Sequence, residues 1–369
     1  MLYNVRKQNL KWKRIEGDVM EKLNVAVVFG GYSNEHEVSI GSGKTVIDGL
    51  DKEKYNVLPI YIDTDGNWFL ADGDISYDMA TEGLNKVLVS PSRGDRSLFI
   101  LESEGYKKLQ IDFVFPALLG KYGEDGTIQG LFEIMGVPYS GCGVLASSMS
   151  MDKVFANDIA RLINMPQPDY MSYKEGDTID YNEIINRLGL PCFVKPVRSG
   201  SSVGIVKPET EEELKEAIIT AFKYDNKIII EKNIIGRELK CAVLGSGGDD
   251  TIASYCGETI FENDLGFYDY EAKYKSSTTR KVIPAEVPDE VHQKVKELAL
   301  QIFKALDCSG LARADFFIED GTGDILFNEI NTFPAFTEVS MYPALCKHVG
   351  YPLPKLLDKL IEIGQKAAR

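Results

Sequence analysis

The chain has 369 residues and a formal net charge of −15, and 44% of its residues are hydrophobic. A chain of this length exceeds one compact core, so we expect two or three domains. The negative charge argues against binding to nucleic acid and to anionic membrane surfaces. The sequence contains no apolar run that is long enough to span a bilayer. We therefore expect a cytoplasmic protein.

The scattered cysteines and histidines argue against disulfides and against zinc. The six cysteines form no Cys-x-x-Cys pair, and several lie in apolar runs, which is typical of reduced thiols in a cytosolic protein. The three histidines form no pair with metal-ligand spacing. Residues 1–19 are basic and polar, without the apolar core of a secretory signal. We interpret residues 1–23 as an N-terminal extension that contributes little to the fold.

Residues 24–141 alternate strand-like and helix-like segments, which is typical of a parallel α/β sheet. The predicted strands are 25–29, 57–62 and 112–118, and the predicted helices are 38–50 and 127–135. Gly30-Gly31 and the loop 119–126 each follow a strand directly. Loops at the carboxyl ends of parallel strands are common ligand-binding positions, so we expect both to lie near a ligand.

Two further α+β units are predicted, at 142–230 and 231–369. In the first, the sequence predicts a helix at 146–164, strands at 193–196, 203–207 and 227–232, and a helix that runs from a capping box at 210–213 to residue 223. In the second, it predicts strands near 237–244 and 252–260, helices at 289–306 and 352–368, and a hairpin made of 311–318 and 325–330.

The last hairpin carries three hard oxygen ligands at its strand ends. Asp315 follows Arg313 on the first strand, and Glu329 and Asn331 lie on the second. Buried together, such side chains are unfavourable for folding unless a partner neutralises them. Mg²⁺ prefers oxygen ligands that it shares with phosphates, so a magnesium site is predicted. A calcium site or a surface salt-bridge network remains an alternative.

A second candidate site lies upstream, where Lys195 precedes the glycine- and serine-rich loop 198–204. Backbone N–H groups, hydroxyls and an ammonium together can hold phosphates. The lysine precedes the glycines and lies on a strand, so the pattern is not a Walker loop. Taken alone, the loop would more often be a flexible hairpin tip.

Four other features are weak when each is taken alone. Lys153 would ordinarily be a solvated helix lysine, and Glu231 and Glu238 would ordinarily mark an unremarkable strand end, although they could contact adenine and ribose. Glu35 lies on the loop after the first strand, and this position modestly favours a role in ligand binding. The aromatic and charged segment 265–274 begins near Gly266 and fits a mobile lid better than a core strand.

Taken in order, these segments resemble the D-alanine–D-alanine ligase family of the ATP-grasp superfamily over residues 24–369. The matching motifs are Phe-Gly-Gly-x-Ser-x-Glu-His-Glu-Val-Ser (29–39), Gly-Glu-Asp-Gly-Thr-Ile-Gln-Gly (123–130), Met-Asp-Lys (151–153), Phe-Val-Lys-Pro with Gly-Ser-Ser-Val-Gly (193–204), Gly-Arg-Glu-Leu (236–239), Phe-Tyr-Asp-Tyr-Glu-Ala-Lys-Tyr (267–274), Arg-Ala-Asp (313–315) and Asn-Glu-Ile-Asn-Thr (328–332). Each motif is weak or moderate singly, and the set in this order is highly specific.

The resemblance implies an ATP-grasp fold, with an N-terminal α/β domain followed by two α+β domains around a cleft. It implies a homodimer that uses ATP with Mg²⁺ or Mn²⁺, as two ions, for peptidoglycan synthesis. In the implied reaction, ATP phosphorylates the carboxylate of one D-alanine, and the amine of a second D-alanine attacks the acyl phosphate. The products are D-alanyl-D-alanine, ADP and phosphate.

The resemblance also implies a role for each site residue. The catalytic set is Glu35, Ser201, Tyr274, Arg313 and Ala335. The ATP-binding set is Lys153, Lys195, Ser201, Ser202, Glu231, Lys232, Ile234, Glu238 and Lys273. The substrate-binding set is Glu35, Tyr270, Arg313, Ser340 and Met341, and the metal ligands are Asp315, Glu329 and Asn331. Within these sets, Glu35 would bind the first ammonium, Arg313 the tetrahedral intermediate and Ser340 the second carboxylate.

Two departures from the family pattern lie near the reacting centre. Leu119-Gly120 stands where the family usually has His-Gly, and Pro334-Ala335 stands where it usually has Pro-Gly. Alanine keeps its N–H as an oxyanion donor without strain if its φ is negative. These departures leave the second substrate open between D-alanine and D-serine. The tyrosine of the lid argues against D-lactate.

Two alternatives from other classes remain. A weakly active paralogue that binds ATP as a sensor would explain Leu119 and Ala335, but the chain retains the phosphate, metal and arginine residues. An ATP-grasp carboxylase has no support in the sequence beyond the shared nucleotide cleft.

Overall fold

The computed structural model describes residues 22–72, 75–200, 203–261 and 279–367. The described chain forms three β-sheets with helices packed against them. In that part of the chain, we find no helix that is long and apolar enough to cross a membrane. All six cysteines are buried and unpaired, which confirms the expectation of buried thiols.

The first sheet has seven strands in the order β6-β5-β4-β3-β2-β1-β7. The strands are β1 (Leu23–Gly30), β2 (Tyr55–Ile62), β3 (Trp68–Leu70), β4 (Asn85–Val89), β5 (Ser97–Glu102), β6 (Gly105–Gln110) and β7 (Phe113–Pro116). β1 is almost entirely apolar and buried, and it pairs in parallel with both β2 and β7. This central trio confirms the predicted parallel sheet. The antiparallel strands β3 to β6 extend it and were not predicted.

Two helices of this unit agree with the prediction, namely α1 (His36–Gly49) and α2 (Thr127–Met135). Each begins shortly after a strand, α1 after β1 and α2 after the loop that follows β7. The loops between these strands and helices therefore lie at the carboxyl ends of two neighbouring parallel strands.

The second sheet is antiparallel, in the order β8-β10-β9. Its unit contains α3 (Val144–Met151), α4 (Lys153–Leu162), β8 (Tyr170–Lys174), α5 (Tyr181–Leu188), β9 (Cys192–Pro196), α6 (Glu211–Phe222) and β10 (Lys227–Lys232). Thr210 accepts a hydrogen bond from Glu213 N at the start of α6, as the capping pattern predicted.

Two predictions in this unit were wrong. The single helix predicted at 146–164 is two helices, because Asp152 adopts an extended backbone and its carboxylate accepts from Val154 N and Phe155 N. It thereby begins a new helix as its N-cap. The strand predicted at 203–207 is reduced to one bridge between Val194 and Val206.

The third sheet has the order β14-β13-β11-β15-β16, with β12 paired to β11. Its unit contains β11 (Gly236–Gly245), β12 (Ile252–Ala253), β13 (Gly257–Phe261), β14 (Thr279–Val282), α7 (Asp289–Ala305), β15 (Gly310–Glu319), β16 (Ile325–Asn331), α8 (Met341–His348) and α9 (Leu353–Lys366). The hairpin of β15 and β16 is confirmed. The strand predicted at 252–260 is two strands, and α8 was not predicted.

The C-terminal helices share a hydrophobic core with the first sheet. Phe115 of β7 packs edge-on against Phe333 and Phe336, with ring centroids 5.9 and 5.8 Å apart. Leu360 of α9 and Tyr342 of α8 are buried in the same cluster. This shared core fixes the loops of the first sheet against the end of the β15–β16 hairpin.

Asp152 provides a test of how α4 is positioned. Besides capping α4, its carboxylate accepts from Lys227 Nζ at 2.9 and 3.0 Å, and both side chains are largely buried. Asp152→Ala removes the cap and leaves a buried ammonium unpaired, so we expect a loss of about 3 kcal/mol in unfolding free energy. Asp180→Ala removes only the cap of α5 and should cost about 1 kcal/mol. Urea denaturation measures both, and equal losses would contradict the account.

Candidate active site

The loop after β1 is held by its own motif residues. Ser39 Oγ donates to Ala117 O at 2.6 Å and accepts from Gly30 N at 2.8 Å. His36 Nδ1 lies 2.6 Å from Gly31 O. These bonds tie the loop to the end of β7, so the His-Glu-Val-Ser motif serves to position Glu35, the residue before α1.

The carboxylate of Glu35 lies where two glycine-containing loops meet. A Cβ atom added to Gly120 would lie 2.6 Å from Glu35 Oε2, and one added to Gly200 would lie 2.7 Å from the same oxygen. Any side chain at either position would collide with this carboxylate. Glu35 of the first unit therefore reaches the glycine-rich loop of the second, and a side chain at either glycine would displace its carboxylate.

Two lysines of the second unit lie behind that loop. Lys195 Nζ on β9 donates to Glu231 Oε2 on β10 at 2.5 Å, and Lys153 Nζ at the start of α4 donates to Ser199 O at 2.8 Å. Both side chains are in the electrostatic range of Glu329. The structure thus brings Lys195 next to Glu231, 36 positions away, and Lys153 next to Ser199, 46 positions away.

Burial affects these two lysines differently. Desolvation lowers the pKa of Lys153, and Lys195 lowers it further, although Glu329 and Glu231 oppose the shift. Desolvation also acts to lower the pKa of Lys195, but its ion pair with Glu231 and the charge of Glu329 outweigh it, so this pKa is raised. Two neighbouring ammonium groups can both donate to one anionic ligand.

The third-sheet hairpin places its charged residues on one face. Asp315 lies opposite Glu329 on β16 and opposite Lys240 on β11. Arg313 holds Asp315 with a two-pronged contact, in which Nε lies 2.8 Å from Oδ1 and Nη2 lies 2.7 Å from Oδ2. Lys240 Nζ approaches Asp315 Oδ2 to 3.9 Å. Asp315 itself is 1% exposed, so this carboxylate depends on its cationic neighbours.

The pKa shifts follow from that geometry. Burial raises the pKa of Asp315, and the positive charges of Arg313 and Lys240 partly oppose the rise. Burial acts to lower the pKa of Arg313, but Asp315, Glu329 and other carboxylates hold it well above its usual value. Arg313 therefore stays charged at every physiological pH.

The predicted metal ligands share this face. Asp315 and Glu329 are a cross-strand pair, and Asn331 Nδ2 donates to Glu329 Oε1 at 3.3 Å. Oδ1 of Asp315 keeps a second lone pair beside its bond to Arg313 Nε, whereas Oδ2 accepts from both Nε and Nη2. Within the described ranges, no group of three His, Cys, Asp or Glu side chains could hold a metal by itself. Two carboxylates and an amide oxygen fit an ion that takes its other ligands from phosphate and water.

The predicted nucleotide residues lie along the connection between the second and third sheets. Glu231 and Lys232 end β10, and Ile234 lies in the short segment before β11. Glu238 on β11 forms an ion pair with Lys240 and accepts from Asn328 Nδ2 at 3.0 Å. Glu238 therefore lies next to the β15–β16 hairpin.

The residues predicted for the second substrate and the oxyanion donor lie between β16 and α8. Ser340 precedes α8, and its Oγ lies 2.7 Å from Thr337 Oγ1. Met341 is buried in the shared core. Ala335 is not among the residues with a positive φ, so alanine is accommodated there without backbone strain. Leu119 is 4% exposed and packs in the same core.

Five predicted residues, Ser201, Ser202, Tyr270, Lys273 and Tyr274, lie outside the described residues. Their roles stay predictions.

Sequence reasoning missed Glu124, although it belongs to the Gly-Glu-Asp-Gly motif. Its Oε2 accepts from Gly120 N at 2.6 Å, and its carboxyl group also accepts from the backbone of Phe333. Burial, followed by the charge of Glu35, raises the pKa of Glu124 to about 8, against an opposing effect of Arg313. This side chain joins the first unit to the catalytic end of the third.

Comparisons with known proteins agree with this geometry. Residues 24–142 match the family described as D-ala D-ala ligase N-terminus, and residues 159–362 match D-ala D-ala ligase C-terminus. The chain belongs to the D-alanine–D-alanine ligase family. A "D-alanine--D-alanine ligase" of Caldicellulosiruptor bescii is 45% identical over 353 residues, which cover 94% of this chain and 96% of the relative.

Solved structures of the ligase family have the same fold. The VanG D-Ala:D-Ser ligase of Enterococcus faecalis superposes with a TM-score of 0.82 at 37% identity, covering 93% of this chain and 100% of that one. The D-alanine–D-alanine ligase of Bacillus anthracis, complexed with ATP, gives 0.71 at 30% identity, covering 94% and 98%. The expected ATP-grasp fold and ATP-dependent ligase class are thereby confirmed.

Glu124 predicts a pH dependence of stability. Because its folded pKa of about 8 lies above its ordinary value of 4.5, Glu124 contributes stability below about pH 4.5 that is lost as the pH rises to about 8. Glu124→Gln keeps an oxygen for Gly120 N–H and cannot ionise. The difference in unfolding free energy between this variant and wild type should increase in favour of the variant from pH 5 to pH 8 and stay constant above pH 8. Urea denaturation across that range measures the effect, and a constant difference would refute it.

Proposed function

We propose that this ligase joins two D-alanine molecules through a D-alanyl phosphate, at the expense of ATP. The main support is an arrangement of charges. Lys153, Lys195 and Arg313 lie near the carboxylates of Asp315 and Glu329. Glu35 extends toward this group from the first unit. This combination of cations and oxygen ligands suits a transferring phosphoryl group.

Lys153 and Lys195 bind the phosphates of ATP in this proposal, together with Lys273 from the lid. Asp315, Glu329 and Asn331 hold Mg²⁺ or Mn²⁺, as two ions. When bound, the ions neutralise the phosphate oxygens and so lower the cost of transfer to the substrate carboxylate. The bidentate contact with Arg313 opposes the effect of burial on the pKa of Asp315 and fixes the carboxylate where it can act as a ligand.

Glu35 binds the ammonium of the first D-alanine. Ser201 and Tyr274 complete the binding site for this substrate and exclude water from the acyl phosphate. Arg313 and the N–H of Ala335 stabilise the oxyanion of the tetrahedral intermediate. The φ of Ala335, which is not positive, supports this role, because the alanine presents the same N–H as a glycine would without strain.

D-Serine as the second substrate is the alternative to this reaction. The VanG structure, a D-Ala:D-Ser ligase, has a TM-score of 0.82 with this chain, and the D-alanine–D-alanine ligase of Coxiella burnetii has the same TM-score, so the fold favours neither substrate. Leu119 gives this alternative little support, because its side chain packs in the shared core. Ser340, Met341 and Tyr270 form the second-substrate end in either case. We also propose that the protein is a cytoplasmic homodimer, which sedimentation of the purified protein can test.

Product analysis tests the proposed reaction. Purified protein is incubated with ATP, Mg²⁺ and D-alanine, alone or with D-serine or D-lactate, and the products are identified by mass spectrometry. We expect D-alanyl-D-alanine from D-alanine alone. Product only with a second, different D-substrate would replace this proposal with a specialised ligase. ATP binding without product would favour a sensor.

An arginine pair provides a matched mutational test. Arg313→Lys keeps the charge but loses the two-pronged geometry, so kcat should fall about 100-fold if this residue stabilises the oxyanion. Arg237→Lys is the control, because Arg237 makes a similar contact with Glu258 in the same sheet. Equal kcat losses in both variants would remove Arg313 from the reacting centre.

A further inference from the structure

We propose that Lys281 binds the carboxylate of the second amino-acid substrate. The inference rests on the proposed function, since it assigns an additional residue to one end of that site. Lys281 lies on β14, and its Nζ donates to Ser340 O at 3.4 Å. Ser340 is the residue predicted to hold that carboxylate, so the ammonium lies at the predicted subsite.

The strand geometry directs this lysine to the start of α8. Lys281 pairs with Thr259 on the neighbouring strand β13, and Gly257, two positions before Thr259, lies on the same face. On the neighbouring strand, a Cβ atom added to Gly257 would lie 3.0 Å from Ile283 and Leu345 and 3.1 Å from Met341 Sδ. The face of the sheet that carries Lys281 therefore packs against the first turns of α8.

Lys281 also lacks the charge compensation that three more deeply buried lysines have. Lys195, Lys227 and Lys240 each form an ion pair with a carboxylate. Lys281 is half-buried, yet in the described part of the chain it forms no ion pair with Asp or Glu, and burial alone lowers its pKa. One peptide carbonyl at 3.4 Å compensates a partly desolvated ammonium poorly.

The start of α8 adds positive potential at the same place. The Ser340 side chain makes no cap hydrogen bond, and the first turn of α8 contains no acidic residue. A helix N-terminus and an ammonium repel each other unless an anion lies between them. A carboxylate at this position would accept from both. Two independent donors, one on β14 and one on α8, thus point to the same class of ligand.

This assignment gives Lys281 a defined effect on the reaction. The second substrate must present a free amine to the acyl phosphate, so its carboxylate is the group by which the site can hold it. A fixed cation at the carboxylate orients the amine and disfavours acceptors without a negative charge. Because D-alanine and D-serine both carry this carboxylate, Lys281 selects for amino acids and does not choose between these two.

Kinetics of Lys281→Met test the proposal. The KM for the second D-alanine should rise about 10- to 100-fold, as expected for loss of a hydrogen bond to a charged group, while the KM for ATP stays within twofold. Lys281→Arg should recover most of the affinity. Arg280→Met is the matched control, because Arg280 is the exposed neighbour on the opposite face of β14. An unchanged acceptor KM in Lys281→Met would overturn the proposal.

A neutral acceptor separates binding from a merely structural role. D-Alaninamide keeps the attacking amine but lacks the carboxylate charge, so wild type and Lys281→Met should use it with KM values within about twofold of each other. If Lys281 only braces the loop at Ser340, the variant loses the same factor with both acceptors, and the proposal fails. Wild type that forms no dipeptide would instead refute the ligase function itself.

Discussion

The carboxylate of Asp315, 1% exposed, is the constraint on which the rest of the site depends. Burying a carboxylate destabilises the fold unless cations lie close to it. Here Arg313 binds Asp315 from the same strand, and Lys240 approaches it from β11. Glu329 lies opposite Asp315 on β16 and adds a second negative charge. The positive and negative charges of this network nearly cancel only while every member is present. The third sheet is therefore built around buried charged groups whose stability depends on one another.

A second constraint is the shared core, which makes the active site a junction of three units. Phe333 and Phe336 follow the β15–β16 hairpin and pack on Phe115 of the first sheet. That packing brings the loops that carry Glu35 and Glu124 close to Arg313 and to the glycine-rich loop. The first substrate would bind where these parts meet, so domain packing and substrate binding depend on the same contacts.

Much of this could be predicted from the sequence, because the motifs lie at strand ends that hydrophobic patterning identifies. The parallel trio of strands, α1, α2 and the β15–β16 hairpin agree with their patterns. The break at Asp152 was missed because its neighbours continue a helical pattern, and α8 was missed because it is short and contains a proline. The pairing of Lys195 with Glu231 depends on which strands are neighbours, and one sequence does not determine that. Glu124 and Lys281 were missed for the same reason, since only the folded chain shows that each is partly or fully buried and what surrounds it.

The central claim is that the charged face of the hairpin receives ATP together with a divalent cation. Calorimetric titration of ATP, with and without Mg²⁺, tests it most directly in wild type, in Glu329→Gln and in the control Glu319→Gln, which changes the same hairpin near its tip. We expect Mg²⁺ to strengthen ATP binding about tenfold or more in wild type and in the control, and to have little effect in Glu329→Gln. An equal effect of Mg²⁺ in all three proteins would contradict the account.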